Sequence, residues 1–103
     1  MIGKFEELAL AALIRAGPDA HAAKVYNVLE ERLPKVPPFA ALYTALDRMS
    51  KKGLVEERQS ETEGRKRRLF TITGEGRKAF DEAINATRAI GVFGSATGNE
   101  GIA

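Results

Sequence analysis

Arg65, Lys66, Arg67 and Arg68 stand side by side, directly before the alternating run Leu69-Phe70-Thr71-Ile72. From position 48 to 68 there are eight Lys/Arg (48, 51, 52, 58, 65, 66, 67 and 68) against four Glu (56, 57, 61 and 63), although the whole chain carries a net charge of only +2. Cations gathered on one segment of a nearly balanced chain bind anions; the alternative is a solvated charge run, the usual fate of such stretches. Other chemistry finds little support. With no cysteine and one histidine, His21, neither disulfides nor a cysteine- or histidine-built metal site is expected. His21 could act as a pH switch, but a lone histidine in a first helical turn is more often solvated or hydrogen-bonded. "TGEGRK" lacks the spacing and Lys-Ser/Thr ending of a phosphate loop, and no nucleophile–base pair is evident. The chain is not expected to be an enzyme, and no cofactor is expected.

The elements that must carry these cations follow from length and periodicity. The 103 residues suit one domain with a single modest core, and 44% hydrophobic with 29% charged residues excludes wholesale disorder. No segment approaches the roughly 18 apolar residues of a membrane span. The apolar opening "ELALAALIRAG" follows Lys4, Glu6 and Glu7 and reads as an amphipathic helix, not a signal peptide. Together with the lack of cysteine, this suits a cytoplasmic address.

Spacing predicts a helix over 3–16, stopped by Gly17-Pro18, and a second over about 20–33 with Asp19 as N-cap. Pro34, Pro37 and Pro38 break the chain. A third helix over 38–52 would bury Phe39, Leu42, Leu46 and Met49 and expose Ala40, Ala41, Thr44, Arg48 and Lys51, ending at Gly53. Strands over 54–59 and 67–73 would flank the polar loop Ser60–Lys66, with Phe70 and Ile72 on the buried face. A last helix over 75–90 carries the stripe Phe80, Ala83, Ile84, Thr87 and Ile90, and the Gly-rich end reads as a flexible tail. The order is mainly α with a small two-stranded β-hairpin: a winged helix-turn-helix. The expected division is a winged helix-turn-helix over 1–73, a dimerisation helix packed on it over 74–90, and a tail over 91–103.

Three stretches resemble the PadR-like family of transcriptional regulators. "VPPFAALYTALDRMSKKGLVEER" is similar to its recognition helix and first wing strand. "GRKRRLFTITGEGRKAF" resembles its Arg-Arg-aromatic-x-Ile/Leu-Thr-x-x-Gly second strand and the start of the final helix. "AHAAKVYNVLEE" is a weaker match. Together they span about residues 5–85. Ala22 and Ala40 stand where that family often has glycine, and the absence of tryptophan gives no support to an aromatic drug pocket between subunits. The resemblance is to the short form with a single C-terminal helix, which implies a homodimer joined through the first and last helices.

That resemblance implies a DNA-binding regulator, expected to be a repressor on a near-palindromic operator. The third helix would enter the major groove, with Pro38, Ala40, Ala41, Tyr43, Thr44, Arg48 and Lys51 near DNA, and Arg65, Lys66, Arg67 and Arg68 would meet the flanking backbone. Tyr43 could serve as core, as a phosphate partner, or both. Arg67 and Arg68 lie on opposite strand faces, so one of them could pair with Glu56, Glu57, Glu61 or Glu63. No Asn, Gln or Arg occupies the first turn of the third helix, so DNA shape and the wing would carry much of the specificity. Phe5, Leu8, Phe80, Ala83, Ile84 and Thr87 would form the dimer interface. Expected partners are therefore double-stranded DNA and a second copy, with no membrane; a small-molecule effector is possible but unsupported by the sequence. The rivals are a winged-helix module whose basic wing binds an acidic protein and a regulator whose DNA affinity responds to a small-molecule inducer.

Overall fold

The structure is a computed structural model, and it describes residues 1–91. Its elements are α1 (Lys4–Ala16), α2 (Ala22–Arg32), α3 (Phe39–Lys51), β1 (Val55–Thr62), β2 (Arg65–Ile72) and α4 (Gly74–Ile90). The strands form one antiparallel pair in which Val55 faces Ile72 and Thr62 faces Arg65. Four helices and one hairpin in this order make the expected winged helix-turn-helix. The expected tail lies, apart from Gly91, outside the described residues.

The core is built where the apolar stripes of α1, α2 and α3 meet the base of the hairpin. Leu10 and Leu13 of α1, Val25 of α2, Leu42, Leu46 and Met49 of α3 and Phe70 of β2 are its largest fully buried side chains. Each contributes on the order of 1.5–3 kcal/mol. Phe39, expected in this core, instead sits 38% exposed at the start of α3. It stands edge-on between the rings of Tyr26 and Tyr43, with centroids 5.2 Å from each. The Tyr26 hydroxyl donates to the Pro37 carbonyl at 2.8 Å, tying the proline-rich linker to α2.

Two local expectations are corrected. Asp19 does not cap α2: its backbone is left-handed (φ 54°), and the cap is His21, whose Nδ1 accepts from the Lys24 N–H at 3.2 Å. The residue between them, Ala20, is extended and exchanges two backbone hydrogen bonds with Phe70, of 3.0 and 2.8 Å. A single-residue bridge thus lies along the outer edge of β2, where the sequence suggested the start of a helix. The second correction concerns the wing. Its strands run eight residues each and join through Glu63 and Gly64 alone, both with positive φ (54° and 76°). A two-residue turn with that backbone matches the right-handed twist of a hairpin, and glycine adopts it without strain. Arg65 and Lys66 are therefore strand residues, not loop residues.

The junction of β2 and α4 shows why Thr73 and Gly76 stand three apart. Thr73 Oγ1 accepts from the Gly76 N–H at 3.0 Å and donates to the Gly53 carbonyl at 2.7 Å, so one hydroxyl caps α4 and holds the α3–β1 turn. Gly76 is the one fully buried residue of α4, and a Cβ there would stand 2.0 Å from the Leu54 carbonyl oxygen. Backbone cannot retreat from that contact as a side chain could. Gly76→Ala is expected to destabilise the protein by about 2 kcal/mol or more despite alanine's better helix propensity. Gly74→Ala, where a Cβ meets nothing within 4 Å, is expected to be neutral or mildly stabilising. Urea unfolding of both variants checks the contrast.

Candidate nucleic-acid interface

Helix α3 turns two faces outward from the core. Leu42, Ala45, Leu46 and Met49 are buried, so the 3.6-residue period leaves Ala40, Thr44, Asp47, Arg48 and Lys51 exposed along one ridge. Pro38 is exposed just ahead of it, and Ala41 and Tyr43 are half-buried at its two margins. The Thr44 hydroxyl donates back to the Ala40 carbonyl at 3.2 Å.

A concavity flanks the ridge on each side. One, of about 570 Å³, lies between the first turn of α2, Phe39 and Tyr43, and the strand Arg65–Arg68. The other, of about 760 Å³, lies between the start of α1 and Ala41, Thr44, Arg48 and Lys52. A helix standing proud between two hollows can enter a wide groove while flanking ridges pass over the hollows. Beside it, the hairpin extends about 26 Å at about 3.3 Å per residue. Its distal part, Glu61 to Arg67, is exposed throughout.

The eight cations of the basic segment divide into two groups. Three are committed to carboxylates inside the molecule. Lys52 reaches Glu6 at 3.2 Å, bridging the end of α3 to α1. Arg58 donates through Nε and Nη2 to Asp19 at 2.9 and 3.2 Å, across the outer face of the sheet. Arg68 donates to Glu57 at 2.6 and 2.9 Å and, through Nη2, to Asp47 of α3. Arg48, Lys51, Arg65, Lys66 and Arg67 form no ion pair among the described residues, and all are exposed.

Register explains the pairing of Arg68. Glu57 faces Phe70, so Arg68 lies diagonally across from it on the face turned toward α3. Of the four glutamates considered as partners, Glu57 is the one used. Asp47 was not singled out by sequence reasoning, although it lies one helical turn beyond Tyr43; nothing local connects it to a residue 21 positions away. The Arg68 guanidinium also covers the rings of Tyr43 and Phe70, with centroids at 5.2 and 5.3 Å. Arg68 thus differs from the other three adjacent cations expected to meet DNA: its Nε and Nη2 already have carboxylate partners.

These contacts shift acidities in the directions that their charges require. The hydrogen bonds from Arg68 hold the Glu57 carboxyl below its ordinary value of 4.5, against opposing effects from burial and from Asp47. The Arg68 guanidinium is raised in return, by Glu57 first and Asp47 second. Asp19 is lowered chiefly by the Arg58 hydrogen bond. Burial works to raise Glu6, but the Gly3 N–H and Lys52 outweigh it and the net shift is downward.

Among the described residues no cluster of His, Asp and Glu could hold a metal, and no helix is long and apolar enough to cross a membrane. The fold and this surface define a winged-helix protein with a basic wing beside an exposed helix. Comparison with known proteins makes the class specific. The profile of the "Transcriptional regulator PadR-like family" matches residues 10–82. The chain belongs to the PadR-like family of transcriptional regulators, whose members are not enzymes. A PadR family transcription regulator from hypervirulent Clostridium difficile R20291 superposes with a TM-score of 0.73 at 23% identity, covering 85% of this chain and 91% of its own. A PadR-like transcription factor from Bacteroides fragilis does so at 0.65 and 24%, over 81% of each chain. The hsRosR protein of the hsRosR-S4 complex structure gives 0.68 and 26%, over 88% of this chain and 75% of its own. No curated protein matches the chain.

A depressed carboxyl stabilises the fold above its unfolded pKa, and that stabilisation is lost as pH falls through the lower, folded value. Wild-type protein is therefore expected to lose more stability between about pH 6 and pH 3 than Glu57→Gln, which has no carboxylate there to protonate. Thermal unfolding of both proteins across that range is the check; parallel curves would mean that the pair is not formed in solution.

Proposed function

We propose that the protein is a homodimeric, sequence-specific DNA-binding repressor that acts on a near-palindromic operator. The observation that carries this reading is the juxtaposition of the exposed ridge of α3 with a projecting strand whose Arg65, Lys66 and Arg67 form no ion pair among the described residues. Helix α3 enters the major groove of one half-site, bringing Ala40, Ala41 and Thr44 to base edges, with their methyl groups suited to thymine. Pro38 marks its leading end. Arg48 and Lys51 lie farther along, placed for phosphates or a guanine, and the Tyr43 hydroxyl lies at the margin of the same surface. The wing follows the backbone. With no long polar side chain in the first turn of α3, groove shape and the wing carry much of the discrimination. The rival reading, an acidic protein on the same wing, does not use the ridge of α3.

The dimer reading is supported by what α4 leaves uncovered. Phe80 packs on the core, but Ala83 and Ile84 are only half-buried, Thr87 is exposed, and Ile90 is 78% exposed. Phe5 and Leu8 of α1 are likewise half-covered. A two-fold contact joining α1 and α4 of each copy buries both stripes, and residues 74–90 then serve as the dimerisation helix. Repression follows from occupying promoter DNA; a rise in transcript on deletion of the gene would accord with it.

The decisive experiment is retention of genomic fragments by the purified protein, followed by binding of the enriched duplex across a salt series. Affinity is expected to fall steeply with salt, and Arg67→Ala to reduce the log–log slope by about 0.9 per protomer. A protein that retains no duplex but captures an acidic partner through the wing overturns the reading. Separately, Ile84→Glu places a charge in the proposed contact. It is expected to shift the molecular mass in solution from dimer to monomer with little loss of helical signal, and to weaken operator binding sharply.

A further inference from the structure

We propose that Arg68 is a positioning residue that clamps the wing to α3, and that it does not contact DNA phosphate. The inference rests on the DNA-binding reading above, but its core is a property of the free protein. Arg68 is the meeting point of three elements. Its Nε and Nη2 engage Glu57 of β1, Nη2 also engages Asp47 of α3, and its face covers Tyr43 of α3 and Phe70 of its own strand. To turn Nε and Nη2 to a phosphate, the guanidinium would have to abandon two carboxylates and uncover two rings, and only Nη1 lies outside these contacts. Its neighbour Arg67 is exposed and has no such ties among the described residues.

Asp47 supplies the second reason. It lies on the exposed ridge of α3 between Thr44 and Lys51, where an uncompensated carboxylate would face a polyanion. Arg68 draws that charge toward the wing and offsets part of it, one guanidinium being shared between Asp47 and Glu57. The same contact fixes the separation of the reading helix from the strand that carries Arg65, Lys66 and Arg67. A hairpin held only at its base would otherwise sweep through a range of angles, and α3 and the wing could not grip one duplex in a single register.

Arginine and lysine differ in a way that separates clamp from contact. A phosphate accepts either cation as a point charge, whereas one ammonium lacks the planar fork that spans two carboxylates while covering two rings. Arg68→Lys and Arg68→Gln are compared with Arg67→Lys and Arg67→Gln, first by hydrogen exchange of the free proteins. Wing amides over residues 56–70 should exchange at least several-fold faster in both Arg68 variants and unchanged in both Arg67 variants. Duplex binding follows across a salt series. Arg68→Lys should weaken binding by about tenfold or more, the scale of losing charged hydrogen bonds, with the salt slope unchanged. Arg67→Lys should bind like the wild type, and Arg67→Gln should lose slope.

Wild-type affinity in Arg68→Lys, with a slope reduced by about 0.9 in Arg68→Gln, would make Arg68 a phosphate contact and overturn the clamp. Unchanged wing exchange in the Arg68 variants overturns it too. If Arg68→Gln fails to fold, Asp47→Asn and Glu57→Gln each remove one arm and must show faster wing exchange for the clamp to stand. Loosened exchange with no duplex binding by the wild type supports the clamp and sinks the regulator reading. Unchanged exchange with intact duplex binding sinks the clamp alone.

Discussion

The seam at Phe70 holds the molecule in its working shape. This residue has no exposed surface, trades both of its backbone hydrogen bonds with Ala20, and sets its ring against Tyr43 of α3 at 6.4 Å. A two-stranded hairpin has marginal stability by itself in water. Here one strand is paired on both edges, with β1 on one side and Ala20 on the other, and its inner face is buried among three helices. The distal wing can therefore be wholly polar and still project, because its base is anchored in the core.

From that seam an edge-to-face series of rings runs outward through Tyr43 and Phe39 to Tyr26. It links β2, α3 and α2 with contacts that tolerate partial exposure, since each ring keeps an apolar neighbour at one edge. Phe39 belongs to this series and not to the core, which explains why an exposed phenylalanine is acceptable at the start of a helix proposed to meet DNA. The Thr73–Gly76 junction plays the corresponding part just past the same end of β2, placing α4 against the α3–β1 turn.

Charge is distributed by the same geometry. Lys52, Arg58 and Arg68 fasten α3 to α1, the sheet to the α1–α2 turn, and the wing to α3. The remaining cations of the segment lie exposed on the ridge and the wing, with no ion pair among the described residues. A count of basic residues along the chain overstates what is available to an anionic partner, because internal carboxylates consume part of it.

Periodicity alone located α1, α3 and α4 to within a residue or two, together with the existence of a hairpin and the exposed arc Ala40, Thr44, Arg48 and Lys51. Those features follow from local rules: a 3.6-residue stripe, a proline or glycine at each end, an alternation of two. The motif Thr-x-x-Gly was legible as part of a family pattern, although the carbonyl that excludes a Cβ at Gly76 was not. Composition likewise determined that the wing is cationic. What only the tertiary structure decided is which of those cations are free. Asp19, the partner of Arg58, and Asp47, the second partner of Arg68, lie 39 and 21 positions away, and Ala20 meets Phe70 across 50 residues of chain. Such pairings arise when the folded backbone brings distant segments within hydrogen-bonding reach, and no local pattern of residue types encodes that distance.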